Sequence, residues 1–379
     1  MELENIVETS EIKYKLGFTF KEIGVFLLLL FMTLKLVSII ITHNRSIVLD
    51  SIVYFLFIVT FNYANWTFGS LFKTGLVIGI YTFINFSPYK LNVLMPLLVI
   101  QAVSGIRYQR YLAINFIISA IFLLVMFIVF GEGYNMSGYN YIVDRKIRMS
   151  FGFNHPNVAA LHYFCLMING LLLVYYSKYK KYLYLYLLLI IPLWLYIYKM
   201  TASRSFILTL FALYATYGYY LFGLFINKKN IVRIIGYAVI LLPFLFSSIT
   251  LFLSINKEKY IMLDRLLSKR LTFYNWFLHT LEPVDIFFGA DTYKNFVIDS
   301  SYLHLLFEGG IFFFLGFCIF YVLSTVNMFN KKEWIPILVI MSFMVYGLME
   351  SMLLYGILIG TNLFWVLLYY HYKNGKMRL

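Results

Sequence analysis

The sequence predicts an all-α, polytopic integral membrane protein with about 12 transmembrane helices. Three observations predict it. Of the 379 residues, 62% are apolar and only 13% are charged, against roughly 25% charged in soluble domains. Apolar runs of about 20 residues, the length that crosses a bilayer, recur along the chain. Basic residues gather in alternate connectors between those runs, as the positive-inside rule asks. So few charges cannot cover the surface of a water-soluble fold. The composition therefore excludes a soluble enzyme, a disordered chain and a disulfide-stapled secreted domain. Cys165 and Cys318 both lie in apolar runs, so no disulfide framework and no zinc spacing is expected. The net charge of +14 reports orientation and not a nucleic-acid footprint.

The expected spans are 22–42, 47–64, 67–86, 90–105, 111–130, 156–176, 183–199, 205–226, 232–254, 301–325, 335–351 and 354–371. Lipid offers the backbone no water, so each should be a helix. The first follows Lys13, Lys15 and Lys21 but has no small-residue cleavage site; it reads as a retained span and not a signal peptide. With the N-terminus inside, the inside segments carry Arg107 and Arg110, then Lys178, Lys180 and Lys181, then Lys228, Lys229 and Arg233. Lys331 and Lys332 follow, then Lys373, Lys376 and Arg378. Both termini are thus expected in the cytoplasm. No soluble domain fits between the spans, so residues 1–379 form one membrane domain.

Two outer segments exceed ordinary connector length, 131–154 and 255–300, the second lying between the ninth and tenth helices. They hold cations that orientation does not explain: Arg145, Lys146, Arg148, Arg265, Lys269 and Arg270, joined by Lys199 and Arg204 from a short outer connector. Solvated surface charge explains any one Lys. The Arg residues are harder to dismiss, because guanidinium suits bidentate grip on phosphate. Arg148, Arg204, Arg265 and Arg270 converge on one membrane face.

Local motifs sharpen this. Arg204 lies where its helix should start, with Ser203 as N-cap. A cation there opposes the helix dipole and makes sense beside an anion; the ordinary alternative is a snorkelling interfacial Arg. In Phe151-Gly-Phe-Asn154-His155-Pro156-Asn157, Asn154 or His155 can cap a helix with Pro156 at its first position. His155 can also donate to a sugar or phosphate oxygen, or act as a base. Residues 261–281 show apolar positions at helical spacing with Arg265 and Lys269 opposite, the pattern of an amphipathic helix on the leaflet surface. Ser300, His304 and Glu308 recur every four residues and share one face, with Asp299 at the helix mouth. Glu308 lies about two turns into the span, where an ionisable group faces the protein interior or a wet cavity. A His304–Glu308 pair that only ties helices together is the alternative. Glu350 near the end of its span has the same two readings. No Asp-x-Asp, Walker loop or Gly-x-Ser-x-Gly is present.

Arg148-x-Ser-Phe-Gly-Phe-Asn-His-Pro-Asn157, Thr201-Ala-Ser-Arg-Ser205, Ser268-Lys-Arg270 followed by Phe288-Gly289, and Asp299-Ser-Ser-Tyr-Leu303 with Gly309-Gly310 occur in that order. The ordered set resembles the Wzy-type repeat-unit polymerases of bacterial capsular and exopolysaccharide assembly, relatives of the O-antigen ligases. The resemblance covers about residues 148 to 310; the rest matches only in hydropathy. It implies a GT-C-like, metal-independent glycosyltransferase of the bacterial plasma membrane, with no cofactor, acting on the outer face. Its substrates would be oligosaccharides on undecaprenyl diphosphate, and its partners a flippase and a chain-length regulator. The growing chain would be donor and the incoming repeat unit acceptor, with inversion at the anomeric centre.

Under that resemblance Arg148, Arg204 and Arg270, with Arg265 in reserve, would hold the diphosphate. Asp299, His155 and His304 are the base candidates. Asn154, Asn157, Glu308 and Tyr302 would support them. The related ligases usually carry His-Asn where this chain has Asp299-Ser300, a departure that favours a polymerase. A ligase remains the first rival and a lipid-oligosaccharide flippase the second, although no half-to-half similarity of the transporter kind is visible.

Overall fold

The computed structural model describes residues 19–42, 46–62, 75, 91–130, 141–143, 146–153, 155–225, 229–267, 269–290, 298–351, 353 and 359–376. Asn154, Arg145, Ser268 and nearly all of the expected span 67–86 lie outside the described residues.

The described chain is helical, apart from a two-stranded antiparallel hairpin, β1 (Tyr141–Val143) and β2 (Lys146–Arg148). The first helices are α1 (Phe20–Thr42), α2 (Ile47–Asn62), α3 (Leu91–Val103) and α4 (Tyr108–Phe130). Next come α5 (Pro156–Tyr175), α6 (Leu183–Thr201), α7 (Arg204–Phe225) and α8 (Lys229–Ile255). The short helices α9 (Ile261–Leu266), α10 (Arg270–Thr280) and α11 (Pro283–Phe288) precede α12 (Ser301–Asn330), α13 (Trp334–Met349) and α14 (Ile359–Lys376). Among the described residues, seven stretches are long and apolar enough to cross a membrane: α1, α4, α5, Lys180–Thr201, Arg204–Gly223, Gly236–Ile255 and α12. Val48–Phe57 and α13 are shorter apolar helices. The protein is a polytopic, membrane-embedded helical bundle.

α5 is the hub. It packs on α4, α6 and α14, and 78% of its apolar window is buried inside the protein, against 28–44% for the other six stretches. Those six turn large side chains such as Ile128, Leu188 and Phe211 outward, which suits contact with lipid. α13 packs along α7 and α12, and α12 along α8 and α14. Tyr302 locks α12 to α13, its buried hydroxyl donating to the Met344 carbonyl at 2.5 Å.

α12 is not continuous. Gly310 leaves helical space (φ 72, ψ 172). The break is filled from the segment before α12, where the Ala290 N–H donates to the Phe307 carbonyl at 2.7 Å. A side chain on Gly289 would overlap the Glu308 carbonyl, and one on Gly310 the Phe287 carbonyl. Two backbones meet here with no room for Cβ, and a carbonyl freed by the kink regains a donor. Interrupted helices survive at membrane depth only with such repair.

Residues 261–281, which the apolar spacing predicts as one amphipathic helix, form two. Lys269 adopts φ 62 and starts α10. Asp264 accepts from the Thr272 N–H at 3.2 Å and its hydroxyl at 2.5 Å. One carboxylate thus satisfies an orphan donor in the first turn of α10. The break removes Arg265 and Lys269 from a common face and puts Arg270 at the first position of α10.

Candidate functional site

Four helix N-termini meet at one end of the bundle: α5, α7, α10 and α12. Each contributes the positive end of its dipole. Sequence chemistry explains each start. His155 caps α5 through its side chain, Nδ1 accepting from the Asn157 N–H at 3.1 Å, with Pro156 first in the helix. Ala202 (φ 46) ends α6 in the left-handed region, so α7 begins two residues later with Arg204. Ser203 holds the cap position by accepting from the Ile207 N–H, while its hydroxyl bonds Ser205 Oγ at 3.0 Å.

The arginines differ in what they hold. Arg148 leaves β2 and donates through Nε to the Thr201 carbonyl at 2.7 Å and through Nη2 to Asn157 Oδ1 at 2.8 Å. Arg270 pairs through Nε with Asp299 Oδ2 at 2.8 Å and donates through Nη1 to the Met349 carbonyl at 2.8 Å. Thr201 and Met349 end α6 and α13, so each guanidinium satisfies an orphan helix carbonyl. A guanidinium carries five N–H donors, so donors remain on both. Arg204 is exposed at the start of α7 and has no hydrogen-bond partner among the described residues. Arg265 is exposed on α9 and joins none of these contacts.

Asn157 connects cation to anion. Its Oδ1 accepts from Arg148, and its Nδ2 donates to Glu350 Oε1 at 2.6 Å. Ser205 Oγ donates to the same oxygen at 2.9 Å. Glu350 follows the last residue of α13, and Ser301 Oγ donates to its carbonyl at 2.5 Å. Arg148, Asn157, Ser205, Glu350 and Ser301 are therefore one network across α5, α7, α12 and α13.

The electrostatics agree with the geometry. Burial, then Arg148 and Arg270, lowers the His155 pKa to about 4, so its imidazole is neutral at pH 7. With Nδ1 accepting at the helix cap, that neutral ring carries its proton on Nε2 and is a donor there, not a base. Burial raises the Asp299 carboxyl against the pull of Arg270. Burial pushes the Glu350 carboxyl up to about 7, again opposed by Arg270. Burial holds the Arg148 guanidinium below its usual value; Glu350 opposes this and Arg204 adds to it.

His304 and Glu308 lie deeper, 3% and 0% exposed, with Nε2 and Oε2 2.5 Å apart. The His304 backbone N–H donates to the Ser300 carbonyl at 2.8 Å, the first helical bond of α12. Asp299, at 28% side-chain exposure, is the accessible carboxylate of the two. The structure thus gathers Arg148, Arg204, Arg270, His155, Asn157 and Asp299, seats His304 and Glu308 beneath them, and uses Tyr302 as a packing lock. Glu350 was visible only as an ionisable group near the end of a span. Its place at the centre of the network follows from contacts with residues 145 and 193 positions away.

Three cations and four helix N-termini can hold a dianionic group such as a phosphate ester, and the accessible Asp299 carboxylate can accept a proton beside it. Among the described residues, no group of three or more His, Cys, Asp or Glu is arranged to hold a metal ion. No family model, curated protein or solved structure matches the chain.

Proposed function

We propose that the protein is a polymerase that joins undecaprenyl-diphosphate-linked oligosaccharide repeat units into capsular polysaccharide or exopolysaccharide. It works on the outer face of the bacterial plasma membrane, in a bundle of about 12 spans with both termini inside. The observation that carries the reading is the convergence of Arg148, Arg204 and Arg270 on the end of the bundle that also holds Asp299 and Glu350. The shared influence of Arg148 and Arg270 on His155 reflects that convergence.

In this reading the arginines hold the donor's diphosphate and stabilise its charge as the glycosidic C–O bond breaks. Preorganised donors at a low-dielectric boundary are worth more than the same groups in water. Asp299 receives the proton of the acceptor hydroxyl as that oxygen bonds the anomeric carbon. Its half-buried position and raised pKa suit a base. The diphosphate leaves on the side opposite the attack, with inversion. Glu350, Asn157 and Ser205 position Arg148, and His155 donates from Nε2 to the bound anion. The bilayer delivers both lipid-linked substrates, and a flippase and a chain-length regulator act before and beside the enzyme.

The size ladder of lipid-linked glycan in cells lacking the protein tests this. Single repeat units trapped on the outer face are expected. A full ladder that stays on its lipid would point to a ligase, single units trapped inside to a flippase, and an unchanged ladder would reject all three.

A further inference from the structure

At the opposite end of the bundle a cavity of about 380 Å³ opens between the α3–α4 turn, the start of α4, the end of α5 and the last turns of α14. That volume lies in the range of small-molecule sites, roughly 300–1,000 Å³. Arg107 and Lys373 line it, and among the described residues no acidic one does. Lys21 stands behind the same turn, donating to the Ser104 carbonyl. The nearby acid Glu22 is already paired with Arg110 at 2.8 Å.

Two further lining groups carry the argument. Tyr108 and Tyr111 are 5% and 1% exposed, and neither hydroxyl has a hydrogen-bond partner among the described residues. The Tyr108 ring is fixed by stacking on Tyr370, with centroids 4.5 Å apart. A buried hydroxyl without a partner carries a desolvation cost that native proteins rarely leave standing. Two of them beside two cations are complementary to an anion with several acceptor oxygens. The second groove at this end is different. There Lys180 already lies over the Tyr175 ring, and the Tyr175 hydroxyl already donates to Glu333.

Position selects the source of the anion. Tyr108 begins one membrane-crossing helix, and Tyr175, beside the cavity, ends another. The cavity therefore sits at the depth of lipid headgroups, where basic pockets between helices take anionic lipids. We propose that this cavity is a binding site for a phosphate ester, and that its occupant is the headgroup of an anionic membrane lipid. Arg107 and Lys373 face the phosphate, and Tyr108 and Tyr111 donate to its oxygens. The site is separate from the proposed transferase centre and does not depend on that assignment, since α4 and α5 run the thickness of the membrane between them.

The test uses the full chain in nanodiscs of phosphatidylcholine alone or mixed with phosphatidylglycerol, read by native mass spectrometry and thermal midpoint. Phosphatidylglycerol should be retained over phosphatidylcholine, and the double variant Arg107→Gln/Lys373→Gln should lose that preference by about tenfold or more. Tyr111→Phe guards against a folding artefact. In an empty cavity it removes an unsatisfied hydroxyl and leaves the midpoint equal or higher in both bilayers. In an occupied site it lowers the midpoint only where phosphatidylglycerol is present. Equal retention of the two lipids, or a Tyr111→Phe midpoint change that ignores lipid charge, would overturn the proposal. Inorganic phosphate that raises the midpoint in phosphatidylcholine to the phosphatidylglycerol value would keep the anion chemistry and overturn the lipid as its source.

Discussion

Arg270 and Asp299 form an ion pair at 2.8 Å that joins the first residue of α10 to the approach of α12. It places the proposed proton acceptor beside a proposed diphosphate ligand. Their side chains are 23% and 28% exposed, so the pair adds at most about 1 kcal/mol to stability. Its value is positional. An anion that recruits Arg270 would release Asp299 to act as a base.

Asp299→Asn should therefore leave the protein at normal membrane level and cut glycosyl transfer by about 100-fold or more. Turnover of purified lipid-linked repeat units in detergent, normalised to folded protein, measures it. Wild-type turnover in the variant would remove Asp299 from the mechanism.

Arg204 is exposed and has no hydrogen-bond partner among the described residues, so its replacement should be nearly neutral for stability. Arg204→Lys keeps the charge and loses the planar fork, and polymer yield should fall sharply. Arg204→Ala should fall further. Polymer length on a gel reads both, and wild-type polymer from the Ala variant would sink the diphosphate clamp.

Glu350 supplies a pH test of stability. Its carboxyl is held at about 7 in the folded protein, from an ordinary 4.5. The folded state binds the proton more tightly, so the stabilising contribution is complete below pH 4.5 and is lost as pH rises through 7. Glu350→Gln cannot ionise and should escape that loss. Its thermal midpoint, compared with wild type, should rise between pH 5 and pH 8, by at most about 3 kcal/mol of stability. A difference that stays flat across that window would mean Glu350 is not held protonated by burial.

The backbone contact between Gly289 and Gly310 predicts steric failure. Ala at either position puts a methyl into the other segment's main chain and also demands a positive φ from a residue with a Cβ. Each substitution should cost more than about 3 kcal/mol and should appear as loss of the monodisperse peak in size-exclusion chromatography. Gly316→Ala is the control, because a Cβ there meets nothing within 4 Å. Normal folding of Gly310→Ala would show that the break in α12 is not needed.

What the sequence determined by itself is what depends on local composition and periodicity. A chain that is 62% apolar and 13% charged must bury its helices in lipid, and the starts at Pro156 and Ser301 follow from capping and the end of the long connector. Which cations matter was only partly legible. Arg148, Arg204 and Arg270 stand out as guanidinium groups in connectors where the expected orientation does not call for cations, but nothing local says that Arg148 satisfies the end of α6 and Arg270 the end of α13. Tertiary structure alone decided the rest. The helical spacing of residues 261–281 is correct in its apolar positions, yet Asp264 and the left-handed Lys269 divide it. Those side-chain bonds to backbone outweigh the small gain from one continuous turn. Glu350 became the centre of the site because Asn157, Ser205 and Ser301 reach it from three other helices. Periodicity fixes which face of a helix is apolar. It carries no information on which other face it meets, since that depends on packing among helices whose lipid-facing and buried sides are equally apolar.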